Sequence, residues 1–230
     1  MASPRVRLLL RPLADAGVPD EGTDHSWLTE AEASRLRGMR SAARRRSFLA
    51  GHWMARALAA DWLQVDPARL ALSTFADGRP ALQLDGAPLP LSLSIAHSGA
   101  WLALALGEVA VGVDVELPRR GRDLDGLARM AFSAPEANAL EQLDGTRRAT
   151  TFCELWTLRE ACVKRSGEGL RPRQARGIVP QACAVEDSEA TSWAFHGGAV
   201  ALATGVGVRL EFSGEPVAAP QGWRYRGGAA

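Results

Sequence analysis

The sequence predicts an α+β protein of two similar lobes, each a small antiparallel sheet packed with helices. Two observations carry that prediction. The chain has 230 residues, 47% hydrophobic and 23% charged, which is enough to bury two cores of roughly 110 residues each. Each half then runs in the same coarse order, helices first and strands after, although no residue-level repeat relates the halves. The expected division is an N-terminal lobe over 1–112, a C-terminal lobe over 113–213 and a flexible tail over 214–230, where Gly, Pro and Ala dominate.

In chain order, "VRLLLRPLA" reads as a first strand, followed by a Gly-, Pro- and Asp-rich loop to Ser26. The Ala-, Leu- and Arg-rich stretch from Leu28 to Leu63 has helical spacing and reads as two helices broken near Gly38 to Ser41. Asp77-Gly78 marks a turn. The runs "LSLSIAHS", "WLALALG" and "VAVGVDVEL" read as three strands of an antiparallel meander. "PRRGRDLDG" is a polar crossover, and Ser133 with Glu136 and Pro135 is a capping-box start for a helix. Thr151 to Glu154 repeats that pattern and predicts a helix that ends near Gly167, before the strands "ACAVED", "SWAFHG" and "AVALATG".

Composition excludes several classes of function. A net charge of +1 argues against general nucleic-acid binding. No apolar run reaches the ~18 residues that a membrane span needs, and the first arginines flank only three leucines, too few for a secretory signal. The expectation is a cytoplasmic monomer. Cys153, Cys162 and Cys183 are odd in number and lack metal-ligand spacing, so they read as free thiols. His25, His52 and His196 have no supporting context and read as structural or surface residues. The charge is nevertheless uneven. Six arginines and no acid lie between Ala33 and Arg46, which suits either an anion site or a solvated helix face.

Asp114 and Glu116 in "VGVDVEL" are two apart on a predicted strand, so both carboxylates leave by one face beside Gly112. Alone, such a pair is equally a strand with one wet face. On the next helix Trp156, Glu160 and Lys164 are spaced by four and form one stripe, which at its simplest is a surface Glu–Lys pair. Lys164 is the only lysine, however, and the other 26 basic residues are arginine. Lysine offers a compact ammonium that can release its proton, which arginine cannot. Three carboxylates without a His or Cys cluster suit a hard cation such as magnesium, which takes few carboxylates and completes its shell with water and phosphate.

"GVDVE" followed by "LWTLREACVKRSGEGL" resembles the paired signature of the Sfp-like phosphopantetheinyl transferases, of the holo-acyl-carrier-protein synthase superfamily. "RRRSFLAGHWMAR", "GRPAL", "IAHSGAW" and "FSAPE" resemble further family segments in the same order, so the likeness covers about residues 5 to 205. The resemblance implies pseudo-twofold lobes with coenzyme A between them. It also implies transfer of the phosphopantetheine arm to a serine of an acyl or peptidyl carrier protein, releasing 3′,5′-adenosine diphosphate. Carried over by residue, Asp114, Glu116 and Glu160 hold Mg2+, and Lys164 meets the phosphate or the incoming serine. Arg159 contacts the same phosphates. His97 and Arg79 bind the 3′-phosphate and adenine end with Arg45 or Arg46. The base that deprotonates the serine is Glu160, Lys164 or a metal-bound water. Ala96 departs from the family, which commonly has serine there, and so removes a possible hydroxyl contact. The rival reading of the same acids is a metal-dependent hydrolase of pyrophosphate bonds in coenzyme A or a nucleotide.

Overall fold

The computed structural model describes residues 2–19, 25–169, 172–215 and 217–226. A six-stranded sheet contains β1 (Arg5–Pro12), β2 (Leu70–Thr74), β3 (Pro80–Leu84), β4 (Ala87–Ser98), β5 (Trp101–Gly107) and β10 (Arg209–Gly214). A five-stranded sheet contains β6 (Gly112–Glu116), β7 (Val179–Cys183), β8 (Ala190–Phe195), β9 (Gly198–Ala203) and β11 (Gln221–Arg226). Antiparallel pairing dominates both, with β1 and β10 parallel. Each sheet carries one long helix, α2 (Ala42–Leu63) on the first and α5 (Gly145–Ser166) on the second. The shorter helices are α1 (Glu30–Arg37), α3 (Leu124–Ala131), α4 (Ala134–Glu141) and α6 (Pro172–Gly177). This is the predicted α+β class with two similar lobes.

Strand alternation sorts the core into layers. On β1, Leu9 joins Met54, Leu58 and Leu104 beneath α2. Val6, Leu8 and Leu10 face the other way and join Val113, Val115, Trp193 and Val200 between the sheets. Leu158 and Ala161 of α5 cover Ala201 and Ala203 on the far side. Both sheets are therefore buried on the faces that matter, in the order helix, sheet, sheet, helix.

The seam between sheets is made by side chains. Ser92, Ser94 and Ser98 of β4 accept hydrogen bonds from the amides of Val111, Val113 and Leu117, at 3.1, 3.0 and 3.0 Å. The separation is 19 residues each time. Ala96 occupies the missing rung and is buried. The expected meander therefore holds for β4 and β5, but β6 leaves it and pairs with β9.

Local signals place the helix ends. Thr29 and Glu32 form a capping box on α1, and Ser133 and Glu136 one on α4, as the sequence predicts for the latter. The break at Gly38 to Ser41 separates α1 from α2. The start of α5 is corrected: it begins at Gly145, where Asp144 accepts from the Arg147 amide at 3.0 Å. Asp144 is a better N-cap than a threonine already inside the helix.

The expected flexible tail over 214–230 is corrected for residues 221–226, which form β11 between β7 and β8. Two aromatic residues hold it. Trp223 Nε1 donates to Ser192 Oγ at 2.8 Å, and Tyr225 Oη donates to the Leu158 carbonyl at 2.8 Å. Residues 227–230 lie outside the described residues. The expected C-terminal lobe over 113–213 also gives up β10, which adds to the first sheet beside β1. Among the described residues, no helix is long and apolar enough to cross a membrane.

Candidate active site

A cavity of about 430 Å³ opens where the two lobes meet. One wall is a helical stripe on α2, comprising Arg44, Ser47, Phe48, Gly51 and His52, with Arg35 and Met39 from the α1 end. Those α2 positions recur at three and four residues, so one face of a single helix supplies them. Leu93, Ile95 and His97 of β4 form the floor, and the turn at Asp77 to Pro80 forms the rim. Glu160, Val163, Lys164 and Gly167 of α5 close the opposite side.

The approach of α5 to β6 is set by Gly112. A Cβ there would lie 1.9 Å from the Ala161 carbonyl oxygen and 2.5 Å from the Arg165 nitrogen. Helix backbone thus occupies the space beside Gly112. Asp114 and Glu116 follow on the same face of β6 and turn inward, both buried. Lys164 Nζ donates to Asp114 Oδ1 at 2.7 Å and to the Val113 carbonyl at 3.1 Å. Glu116 accepts from Arg122 and has Arg119 Nε at 3.4 Å.

Burial pushes the Asp114 carboxyl above the usual carboxylate range, against the pull of Lys164. Burial also raises Glu160, and the negative charges of Asp114 and Glu116 add to it. An all-oxygen donor set suits a hard cation. The arrangement does not yet do so, because among the described residues no three of His, Cys, Asp and Glu converge in a way that could hold a metal ion. Asp114 and Glu116 are each turned onto a cationic side chain instead.

His97 is exposed to the cavity. Partial burial of its ring lowers its pKa, and the charges of Lys164, Arg119 and Arg44 push the same way. Cations from both lobes therefore make this a positive site suited to an anion. Arg79 is held by Asp77, Nε to Oδ2 at 2.9 Å, and its Nη1 donates to the Arg165 carbonyl at 3.2 Å, so it links the rim to the end of α5. Gly167 caps that helix at φ 79°, and a Cβ would lie 2.7 Å from both Arg79 Nε and Asp77 Oδ2. The left-handed backbone there favours glycine.

Of the residues singled out from sequence, Arg79, His97, Glu160 and Lys164 line the cavity, while Asp114 and Glu116 lie behind it. Arg159 is corrected. It is fully buried, donates from Nη2 to Glu136 at 2.6 Å and from Nε to the Ala175 carbonyl at 3.0 Å, and lies 4.4 Å from the Phe132 ring centroid. It ties α4 and α6 to α5 and does not line the cavity between the lobes. Arg45 and Arg46 are also corrected: both are exposed on α2 off the lining stripe, and Arg44 takes the place expected of them. Ala96 faces the seam, since alternation on β4 sends residues 96 and 97 to opposite sides, so a serine there would meet β6.

Sequence reasoning missed Phe48, left Arg35 open within its anion site or solvated face, and read His52 as structural or surface, whereas all three line the cavity. The signal was available in the spacing of Arg44, Ser47, Phe48, Gly51 and His52. His52 Nδ1 lies 2.6 Å from Glu32 Oε1, and Arg56 Nη2 donates to Glu32 Oε2 at 2.6 Å. Burial alone would raise the Glu32 pKa, but the His52 and Arg56 hydrogen bonds outweigh it and hold it at about 2. A charged carboxylate only accepts, so the His52 proton sits on Nδ1.

Comparison with known proteins converges on the same segment. Residues 110–204 match the family model of the 4'-phosphopantetheinyl transferase superfamily. A 4'-phosphopantetheinyl transferase of Bacillus subtilis is 29% identical over 123 residues, covering 53% of this chain and 52% of that protein. The 4'-phosphopantetheinyl transferase HetI of Nostoc sp. is 29% identical over 127 residues, covering 55% and 54%. The 4'-phosphopantetheinyl transferase Sfp of Bacillus subtilis strain 168 is 28% identical over 123 residues, covering 53% and 52%. The chain spans about half the length of the curated relatives it matches. The resemblance carried by the motifs is borne out over residues 110–204, which match the 4'-phosphopantetheinyl transferase superfamily model and include β6, α5 and the acids they position.

Proposed function

We propose that this protein transfers the phosphopantetheine arm of coenzyme A to a serine of a carrier protein and releases 3′,5′-adenosine diphosphate. The observation that carries the reading is the cavity between the lobes. It collects Arg44, Arg79, His97 and Lys164 for a polyanion, with the carboxylate of Asp77 paired to Arg79 at the rim and that of Glu160 on the α5 side. The family match on β6 and α5 supports the chemistry, and the printed names of the relatives supply the transferred group.

Each residue has a physical part. Lys164 is fixed by two acceptors on β6, so its third proton is the one available to an anion in the cavity. His97 and Arg44 bind the phosphate end of the coenzyme. Glu160 is the base for the incoming serine, since its carboxylate lines the cavity on the α5 side, and burial with the charges of Asp114 and Glu116 raises its proton affinity. Catalysis is then alignment of an in-line attack within a positive, partly enclosed site. Magnesium dependence belongs to the same proposal and rests on donor chemistry alone; a bound ion would supply charge neutralisation on the pyrophosphate.

Chromatography of the nucleotide products tests the reading. Release of 3′,5′-adenosine diphosphate should require both coenzyme A and a carrier protein with its serine intact. Release at an equal rate without carrier would instead support hydrolysis of the pyrophosphate bond.

A further inference from the structure

We propose that Arg122 is a positioning residue that holds Glu116 as an internal ion pair, and that Glu116 serves a divalent cation only after Arg122 lets go. The proposal rests on the reading of Asp114, Glu116 and Glu160 as the cation-binding acids. It explains why acids of suitable chemistry fail to converge.

Arg122 lies in the crossover between β6 and α3, and its Nη1 donates to Glu116 Oε1. Its guanidinium is seated 5.1 Å from the Phe152 ring centroid and 5.2 Å from that of Trp156. Those rings are stacked at 19°, one turn apart on α5. A planar cation over two aromatic faces keeps one orientation. Side-chain exposure is 21% for Arg122 and 9% for Glu116, so solvent screens the pair only partly. Arg119, the other cation near Glu116, is 61% exposed and 3.4 Å away, and so is held loosely. Asp114 is engaged in the same manner by Lys164. Both acids of β6 thus carry a protein cation in place of a metal.

A merely structural Arg122 would pin the crossover to α5 and leave cation affinity alone. A latch competes for Glu116. A half-shielded ion pair is worth up to about 1 kcal/mol, or roughly fivefold in affinity. Mn2+ is the probe, titrated calorimetrically into the full chain, the parent beside R122Q, R119Q and E116Q, with circular dichroism to check folding. R122Q should bind Mn2+ up to about fivefold tighter, R119Q should stay within about twofold of the parent, and E116Q should bind more weakly. Affinity in R122Q equal to or below the parent, with E116Q weakened, overturns the latch but keeps the cation site. Absence of Mn2+ binding in every variant, alone or with coenzyme A present, removes the cation site and the latch with it. If R122Q does not fold, R122K takes its place. An ammonium also lacks the guanidinium's planar seat over the two ring faces, so R122K should still bind Mn2+ more tightly than the parent, and no gain overturns the proposal.

Discussion

Lys164 is the residue whose identity the sequence marks most sharply, and its surroundings give the reason. The ammonium reaches the Val113 carbonyl and Asp114 together from a helix that Gly112 lets close onto β6. A guanidinium is longer and planar, and cannot occupy that gap while presenting one donor to the cavity. Lys164→Arg should lower turnover by at least ~100-fold with little change in melting temperature. Parent-like turnover would show that the charge alone suffices. Glu160 makes a complementary case. Its raised pKa means that the charged form costs the folded state stability at neutral pH, and that cost falls as pH drops through the folded value. Glu160→Gln should therefore hold or raise the melting temperature while turnover falls at least ~100-fold. A clear drop in melting temperature would contradict the assigned origin of the shift. Arg159 shows the limit of reading single residues. Its helix and spacing were legible, but which face meets α4 and α6 depends on packing between distant segments.

At the scale of elements, α1 and α2 are riveted by one buried carboxylate. Glu32 serves the α1 capping box and also binds His52 and Arg56, and Arg56 Nε reaches the Leu70 carbonyl on β2 at 3.1 Å. Glu32→Gln leaves a buried guanidinium without its counter-charge and should cost about 3–5 kcal/mol, read by chemical denaturation. The carboxyl falls from an ordinary 4.5 to about 2 on folding. Its stabilisation is complete above the first value and is lost as pH falls toward the second. Parent stability should decline through that window more steeply than that of Glu32→Gln, and parallel profiles would contradict the network. On β4 the alternation is strict enough to assign faces from sequence, yet it cannot say what covers each face. Ala96→Ser should leave coenzyme A affinity unchanged in calorimetry, because position 96 faces the seam with β6. Tighter binding would restore Ala96 to the cavity.

For the whole molecule, the α+β class and the like construction of the lobes were legible, because periodicity, caps and turns are local. The long-range pairings were not. β10 joins the first sheet from the far end of the chain, and β11 comes from a Gly- and Ala-rich stretch whose anchoring depends on partners in β8 and α5. The acids were visible from strand and helix spacing, the lone lysine from the residue count, and His97 from the resemblance. The cavity's helical wall was overlooked although "RRRSFLAGHWMAR", which carries it, resembles a family segment and the spacing of its lining residues fits one face. The proposed function rests on bringing that wall, His97 and α5 to one cavity. The most direct test is the intact mass of a carrier protein after incubation with coenzyme A, magnesium and either the parent or Glu160→Gln. The parent should add one phosphopantetheine arm to the carrier serine, and the variant almost none. A carrier of unchanged mass beside cleaved coenzyme A, or equal modification by the variant, would contradict the account.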